Sequence, residues 1–158
     1  MELKGDKIKR YIRRAEIAAE SSPDLETKVG AILVSSKTQS VVSEGYNGFI
    51  RGAKDDVLPR TRPDKHKFII HAEANLLANA ARNGVSTSDC FVVQTISPCI
   101  NCARLLFQAG IKEIYFKEWY GSDLGKLEIG DLKTLVLSMD GYYLLQLHAD
   151  KECSWNKT

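Results

Sequence analysis

Long hydrophobic runs, a strong charge of one sign and low-complexity segments are all missing from this sequence of 158 residues. No apolar stretch approaches the roughly 18 residues that a membrane-spanning helix needs, and residues 1–10 lack the apolar core of a signal peptide. The 22 lysines and arginines nearly balance the 20 aspartates and glutamates, which leaves a formal net charge of +2. These absences predict a cytoplasmic protein without a membrane partner, and the small net charge gives no indication of nucleic-acid binding.

Cysteine is also scarce, with four residues in the chain. Four cysteines could form two disulfides, but the close spacing of Cys99 and Cys102 favours a metal or redox pair over a disulfide framework. We therefore expect reduced thiols. Cys90 and Cys153 are interpreted as ordinary thiols, with Cys90 buried and inert.

The composition is typical of a soluble globular domain, with 44% hydrophobic and 27% charged residues. Its periodicity predicts alternating helices and strands without a repeat or linker, and therefore a single α/β domain over residues 1–158. The predicted architecture has three layers, α/β/α, around a five-stranded mixed sheet in which the strands after a first hairpin are mostly parallel. The predicted elements are a helix at 6–20, hairpin strands at 29–35 and 40–46, a long loop at 47–66, a helix from 71 to 84, a strand at 90–96, a helix at 99–110, a strand at 112–117, a loop at 118–130, a helix at 131–141 and a strand at 142–148.

The most informative polar residues lie at two predicted helix starts. His71 and Glu73 open one helix. Cys99 and Cys102 open the next, so the α/β order can bring both starts to one point. Two thiolates three residues apart can hold one ion and a neutral imidazole adds a third ligand, which favours zinc. Three ligands leave a fourth position for water, as in catalytic sites, and Glu73 is suited to act as a base beside it.

The two motifs resemble the signature of the zinc-dependent cytidine and deoxycytidylate deaminase superfamily, in which His-x-Glu precedes Pro-Cys-x-x-Cys. Here they read "HAE" at 71–73 and "PCINC" at 98–102. The segments "KVGAILV", "GYNG" and "KDDVLPR" extend the similarity, to the deoxycytidylate (dCMP) deaminase family, over residues 7–120. This resemblance implies a cytidine-deaminase-like fold and hydrolysis of dCMP to dUMP and ammonia, which supplies dUMP for thymidylate synthesis.

The resemblance also implies roles for the clustered residues. His71, Cys99 and Cys102 would hold Zn²⁺. Glu73 would take a proton from the water, deliver it to N3 of the cytosine and later protonate the departing ammonia.

Four further residues are implied to contact the nucleotide. Asn47 would contact the sugar hydroxyl and the base, since an amide is both donor and acceptor. The backbone of Ala72 and of Ser97 would frame the base edge. Tyr120 would lie near the nucleotide.

A substrate phosphate requires charge-assisted donors, and residues 51–67 contain six lysines and arginines against three acidic residues. The alternative interpretation of this segment is a solvated loop. The resemblance further implies control by dCTP and dTTP with Mg²⁺ at a separate nucleotide site, and a homo-oligomer, either a dimer or a hexamer. The candidate phosphate contacts are Lys28, Arg51, Arg60, Arg62 and Lys65.

Two other functions stay open from the sequence. A deaminase that edits cytosine or adenine within a nucleic acid would need base-stacking platforms, and the 8% content of aromatic residues speaks against it. A non-enzymatic zinc module would use the metal only to support the fold and would not require Glu73. His66 or His148 could close such a site as a fourth ligand.

Overall fold

The computed structural model describes residues 3–121 and 131–152, and every helix in these ranges is too short or too polar to span a bilayer. The strands are β1 (Gly30–Ser35), β2 (Val41–Tyr46), β3 (Cys90–Ile96), β4 (Glu113–Glu118), β5 (Leu132–Ser138) and β6 (Tyr143–Ala149). The helices are α1 (Gly5–Ala19), α2 (Ala72–Arg82) and α3 (Ile100–Gln108), with a 3-10 helix at Asp64–Lys67. Across the described residues the strand order is β2-β1-β3-β4-β6-β5, in which β3/β4 is parallel and the other neighbouring pairs are antiparallel.

Side chains that alternate along the strands pack against helices on both faces of the sheet. Ile32 of β1 lies in a buried cluster with Ile8 of α1. Its neighbour Leu33 belongs to a second cluster, with Leu76 of α2 and Leu106 of α3. Because successive strand residues point to opposite faces, α1 covers one face of the sheet and α2 with α3 covers the other. The predicted three-layer α/β/α architecture is confirmed.

The prediction of a helix at 131–141 is wrong, because this segment contains β5, which pairs antiparallel with β6. Val136 packs against the core while both of its neighbours in the strand are exposed, a period of two. Gly141, the last residue of the predicted helix, has a φ of 84° and belongs to the β5–β6 turn. The backbone N–H of Met139 donates to the carbonyl of Tyr142 across this turn at 2.9 Å. A short apolar run fits either element by pattern alone, and pairing with β6 decides for a strand.

The described part of the chain thus has six strands instead of the predicted five. The mixed character of the sheet is confirmed, but one parallel pair in these ranges makes the prediction of mostly parallel strands wrong. Residues 122–130 of the predicted loop, and Cys153, lie outside the described residues. The assignment of residues 1–158 to one domain stays a prediction.

Strand β2 positions the first turn of α2 through close backbone contacts. A Cβ atom at Gly45 would lie 2.6 Å from the carbonyl oxygen of Ala72, so the approach of helix to strand requires glycine here. Just beyond β2, Gly48 and Ile70 exchange backbone hydrogen bonds of 3.0 and 2.7 Å. These contacts fix the chain at His71, where α2 begins.

Candidate active site

The first residues of α2 and α3 meet, as the sequence predicts. His71 is the N-cap of α2 and Cys99 is the N-cap of α3. The Nδ1 atom of His71 lies 3.4 Å from Sγ of Cys102 and 3.6 Å from Sγ of Cys99. The ligand atoms of these three residues all lie within 4.8 Å of one another.

This arrangement fits a tetrahedral zinc ion. Zinc bonds of about 2.3 Å to sulfur and about 2.0 Å to nitrogen separate neighbouring ligand atoms by about 3.6 Å in a tetrahedron. Both nitrogen–sulfur distances agree with that spacing. Within residues 3–121 and 131–152, neither His66 nor His148 belongs to the group. The site therefore offers three protein ligands, the number typical of catalytic zinc.

The surroundings shift the pKa values of the two cysteines in opposite directions. The thiol of Cys102 donates a hydrogen bond to Cys99, and this lowers the pKa of Cys99 to about 4. The same hydrogen bond, together with burial, raises the pKa of Cys102. Cys99 is thus a thiolate at neutral pH, the form that binds metals. A metal ion would displace the proton that remains on Cys102.

Glu73 lies in the first turn of α2 and is 4% exposed. Burial raises the pKa of its carboxyl group, although its own backbone N–H and the amide of Gln94 stabilise the charged form. A buried carboxyl group with a raised pKa is suited to hold a proton between two transfers. Gln94 is missing from the predicted site, although a lone amide side chain within the buried strand β3 is a signal that could have indicated it.

A cavity of about 240 Å³ adjoins this cluster, and His71, Glu73 and Cys99 all contribute to its lining. The cavity therefore brings most of the predicted metal, proton-transfer and nucleotide positions together. The other predicted site residues in its lining are Asn47, Arg62, Lys65, Ala72, Ser97 and Tyr120.

Three predicted phosphate contacts are not part of the cavity lining. Lys28 is exposed beside β1. Arg51 donates to the side chain of Asn79 on α2 and lines a separate depression. The backbone carbonyl of Arg60 accepts a hydrogen bond from Leu25 at 3.2 Å. Their involvement with phosphates stays a prediction.

Three hydrogen bonds fix the side chain of Asn47. Its Oδ1 accepts from the backbone N–H of Val29 at 2.8 Å. Its Nδ2 donates to the carbonyl of Thr27 at 2.9 Å and to Oδ2 of Asp24 at 3.3 Å. Both amide hydrogens are engaged, and Oδ1 keeps one lone pair. A further partner in the cavity would therefore donate to Oδ1.

A buried ion pair that the sequence does not reveal supports the cavity wall. Nζ of Lys65 lies 3.0 and 2.9 Å from the two carboxylate oxygens of Asp24, and both side chains are 3% exposed. A carboxylate oxygen of Glu26 lies 3.3 Å from the same ammonium. Burial alone would raise the pKa of Asp24, but hydrogen bonds from Lys65 and from the backbone of Thr27 and Glu26 hold it below its ordinary value. The pair ties the 3-10 helix to the loop between α1 and β1.

Arg62 and Tyr120 meet at the cavity from two different loops. Nη2 of Arg62 donates to the hydroxyl of Tyr120 at 2.8 Å and to that of Thr27 at 3.4 Å. Nη1 of Arg62 lies 3.3 Å from a carboxylate oxygen of Glu26. The backbone N–H of Tyr120 donates to the hydroxyl of Ser97 at 2.9 Å. Arg62 is thus partly exposed and held within reach of a molecule in the cavity.

Comparison with known protein families agrees with this geometry. Residues 6–118 match the model of the family described as the cytidine and deoxycytidylate deaminase zinc-binding region. The chain belongs to this family, and the resemblance inferred from its motifs is confirmed.

Named relatives point to one branch of the family. The chain is 38% identical over 112 residues to the deoxycytidylate deaminase of Homo sapiens, which covers 67% of this chain and 61% of the relative. It is 38% identical over 116 residues to a probable deoxycytidylate deaminase of Caenorhabditis elegans, which covers 71% of this chain and 57% of the relative. The chain therefore spans less than two thirds of the length of these curated relatives.

A solved structure supports the fold as well as the branch. The chain is similar to dCMP deaminase from the cyanophage S-TIM5, crystallised in complex with dCMP and dUMP, at 31% identity and a TM-score of 0.63. The match covers 75% of this chain and 86% of the cyanophage chain. The predicted cytidine-deaminase-like fold is confirmed.

Proposed function

We propose that this protein hydrolyses dCMP to dUMP and ammonia and thereby supplies dUMP for thymidylate synthesis. The observation that carries the proposal is the buried carboxyl of Glu73 in the same cavity as a His/Cys/Cys group that fits zinc. A zinc module that only supported the fold would have no use for a buried carboxyl group at this position. The names of the relatives, and the nucleotides bound by the cyanophage enzyme, support dCMP as the substrate.

His71, Cys99 and Cys102 would hold Zn²⁺. When bound, zinc in such a site lowers the pKa of a coordinated water and polarises the group under attack.

Glu73 would carry the protons of the reaction. It would take a proton from the water that adds to C4 of the cytosine and deliver that proton to N3. It would then take the remaining proton of the C4 hydroxyl group and pass it to the amino group, which leaves C4 as ammonia while the C4 oxygen becomes the carbonyl of uracil. The raised pKa of the buried Glu73 carboxyl supports this role, because the group must hold a proton between the two transfers.

The remaining cavity residues would orient the nucleotide. We propose that a sugar hydroxyl donates to the free lone pair of Asn47 Oδ1, since its amide hydrogens are engaged elsewhere. The backbone of Ala72 and of Ser97 would frame the base, and the Ser97 carbonyl is suited as an acceptor because its N–H already binds Glu118. Tyr120 would lie beside the nucleotide.

Arg62 would read the phosphate. Its guanidinium lines the cavity, and Glu26 and Tyr120 hold it in place without enclosing it. A guanidinium forms paired hydrogen bonds with phosphate oxygens, which supports this assignment over a lone surface cation.

Regulation and assembly extend the proposal. We propose that dCTP and dTTP, with Mg²⁺, act as effectors at a separate site, and that the protein is a homo-oligomer, either a dimer or a hexamer. Lys28, Arg51 and Arg60 are the candidates for effector phosphates. We also propose a cytoplasmic location, because a reducing compartment keeps Cys99 and Cys102 available as metal ligands.

The test is ammonia release and the ultraviolet change with zinc-loaded protein on dCMP, deoxycytidine, CMP and a cytosine oligonucleotide, with and without dCTP and Mg²⁺. We expect turnover of dCMP, with Glu73→Gln lowering kcat by about 10²–10⁴-fold while the zinc content stays the same. If dCMP is not deaminated under any of these conditions, the assignment of dCMP as substrate is wrong. Deamination of the oligonucleotide alone would support a nucleic-acid editor.

The phosphate contact is tested by Arg62→Ala. We expect KM for dCMP to rise by about tenfold or more, with little change for deoxycytidine, which has no phosphate. Arg82→Ala removes an exposed arginine at the end of α2 and serves as the control. Equal KM values for dCMP in the wild type and Arg62→Ala would contradict the assignment.

A further inference from the structure

Gln94 is a fully buried amide within strand β3, between the buried residues Val93 and Thr95. Its Nε2 donates to Oε1 of Glu73 at 2.8 Å and to the backbone carbonyl of Ile96 at 2.6 Å. The two hydrogens of the amide nitrogen are therefore both engaged. One of their partners is the carboxyl group that is proposed to move the protons.

The orientation of this amide follows from its partners. A carboxylate oxygen and a carbonyl oxygen both require a donor, so the nitrogen of the amide must face them. Rotation of the amide by half a turn would bring Oε1 of Gln94 against two acceptors. The bond to Glu73 is thus determined by the local network and does not depend on a choice between two equivalent orientations.

The oxygen of the Gln94 amide is not hydrogen-bonded in the same way as its nitrogen. In residues 3–121 and 131–152, Oε1 of Gln94 is the buried side-chain polar atom without a hydrogen-bond partner. A buried acceptor without a partner destabilises the fold, whereas an apolar side chain of similar shape would not. Apart from the hydrogen bond to the carbonyl of Ile96, the packing of β3 gives no reason for a glutamine at this position, whereas its bond to Glu73 does.

We propose that Gln94 is a positioning residue for Glu73: it holds Oε1 of the carboxyl group and so directs Oε2 toward the substrate. This inference rests on the proposed function. With a donor on Oε1, the proton taken from water resides on Oε2 and leaves from Oε2 to N3, so one oxygen serves each transfer. The carboxyl group then needs no rotation between the steps.

The test is Gln94→Met, which keeps the length and approximate volume of the side chain but removes the donor. We expect kcat for dCMP to fall by about 10–100-fold, because a displaced reacting group slows the chemical step. KM should stay within about threefold, since Gln94 itself does not line the cavity. Zinc content should be unchanged, whereas the unfolding temperature should fall, because the carboxyl group of Glu73 and the carbonyl of Ile96 each lose a buried donor. The fall in kcat is therefore the readout that decides the inference.

Thr95→Val is the matched control on the same strand. Thr95 is buried, and its hydroxyl accepts a hydrogen bond from the backbone N–H of Gly30 at 3.2 Å. Because it is the next residue along the strand, its side chain points to the opposite face of the sheet from Gln94. Its loss should lower the unfolding temperature and leave kcat within about threefold of the wild type. A purely structural role for Gln94 would produce the same pattern in Gln94→Met, and that result would overturn the inference.

An infrared measurement separates this inference from the proposed function. The carboxyl band of Glu73 is identified by its absence in Glu73→Gln, and in Gln94→Met it should shift because a hydrogen bond is lost. If the wild type does not turn over dCMP, the proposed function fails and this band alone decides the bond. An unshifted band, or a kcat of Gln94→Met within threefold of the wild type, overturns the positioning role.

Discussion

The buried Asp24–Lys65 pair offers a sharp test of how the cavity wall is held. Asp24→Asn removes one charge and turns an amide nitrogen or a weaker acceptor toward the ammonium of Lys65. That ammonium is 3% exposed and would keep one carboxylate, Glu26, at 3.3 Å. Removing one partner of a buried ion pair costs about 3–5 kcal/mol, and the remaining contact with Glu26 argues for the lower end, about 3 kcal/mol.

Lys65→Met should be less damaging than Asp24→Asn. After loss of the ammonium, the carboxylate of Asp24 still accepts from the backbone N–H groups of Glu26 at 2.8 Å and Thr27 at 3.0 Å, and from Asn47 at 3.3 Å. Each charge-assisted hydrogen bond contributes about 1.5–3 kcal/mol, but the three remaining donors keep the Asp24 carboxylate hydrogen-bonded, so the net loss should stay below that of Asp24→Asn. The methionine also keeps the apolar contacts of the lysine stem. The variant that combines both changes should be more stable than Asp24→Asn, because no uncompensated charge stays buried.

Thermal and urea unfolding at pH 7 measure this order. A loss of about 3 kcal/mol corresponds to a fall in Tm of roughly 6–12 °C for a domain of this size. The control is Asp131→Asn, which removes a partner of Arg104 in a pair whose side chains are 60% and 41% exposed, and it should change stability by about 0.5 kcal/mol or less. If Lys65→Met were as destabilised as Asp24→Asn, or the combined variant were the least stable, the reasoning from uncompensated charge would be refuted.

Three further outcomes are expected. The pKa of Asp24 is lowered in the folded protein, so its contribution to stability is present above its unfolded value of about 3.9 and is lost as pH falls through the folded value. The difference in unfolding free energy between the wild type and Asp24→Asn should therefore shrink below about pH 4. A constant difference down to pH 2 would contradict this. Gly45→Ala would bring a Cβ to 2.6 Å from Ala72 and should lower stability by about 1–3 kcal/mol and weaken zinc binding, whereas Gly5→Ala, whose Cβ would meet Tyr142 at an ordinary 3.5 Å, should retain both. Removal of zinc by a chelator should make two more thiols reactive and lower Tm, and an unchanged thiol count would argue against Cys99 and Cys102 as ligands.

Local patterns were sufficient for much of the fold and for the centre of the site. The helix of residues 72–82 and the strand of residues 90–96 follow from periodicity within each segment. His71 and Cys99 are recognisable because a helix start is itself a local signal. Their spacing to Glu73 and Cys102 can be read directly from the sequence. What a short segment encodes by its own period or spacing can be inferred from that segment.

Long-range contacts decided the rest. The segment 132–138 is a strand because β6 offers an edge to pair with, and its own sequence is compatible with a helix. The charge of Lys65 alone makes it a candidate phosphate contact. In the folded protein, however, its ammonium lies 3.0 Å from the carboxylate of Asp24 and is paired with it.

The same division runs through the active site. The amino-acid sequence by itself determined the chemistry: the ligand types, the carboxyl group and the helix starts that carry them. The tertiary structure alone decided that Arg62 reaches the cavity while Arg51 does not, and that Gln94 touches Glu73. The physical reason is that burial and hydrogen-bond partners are properties of neighbours in space, and these neighbours come from segments far apart in the chain.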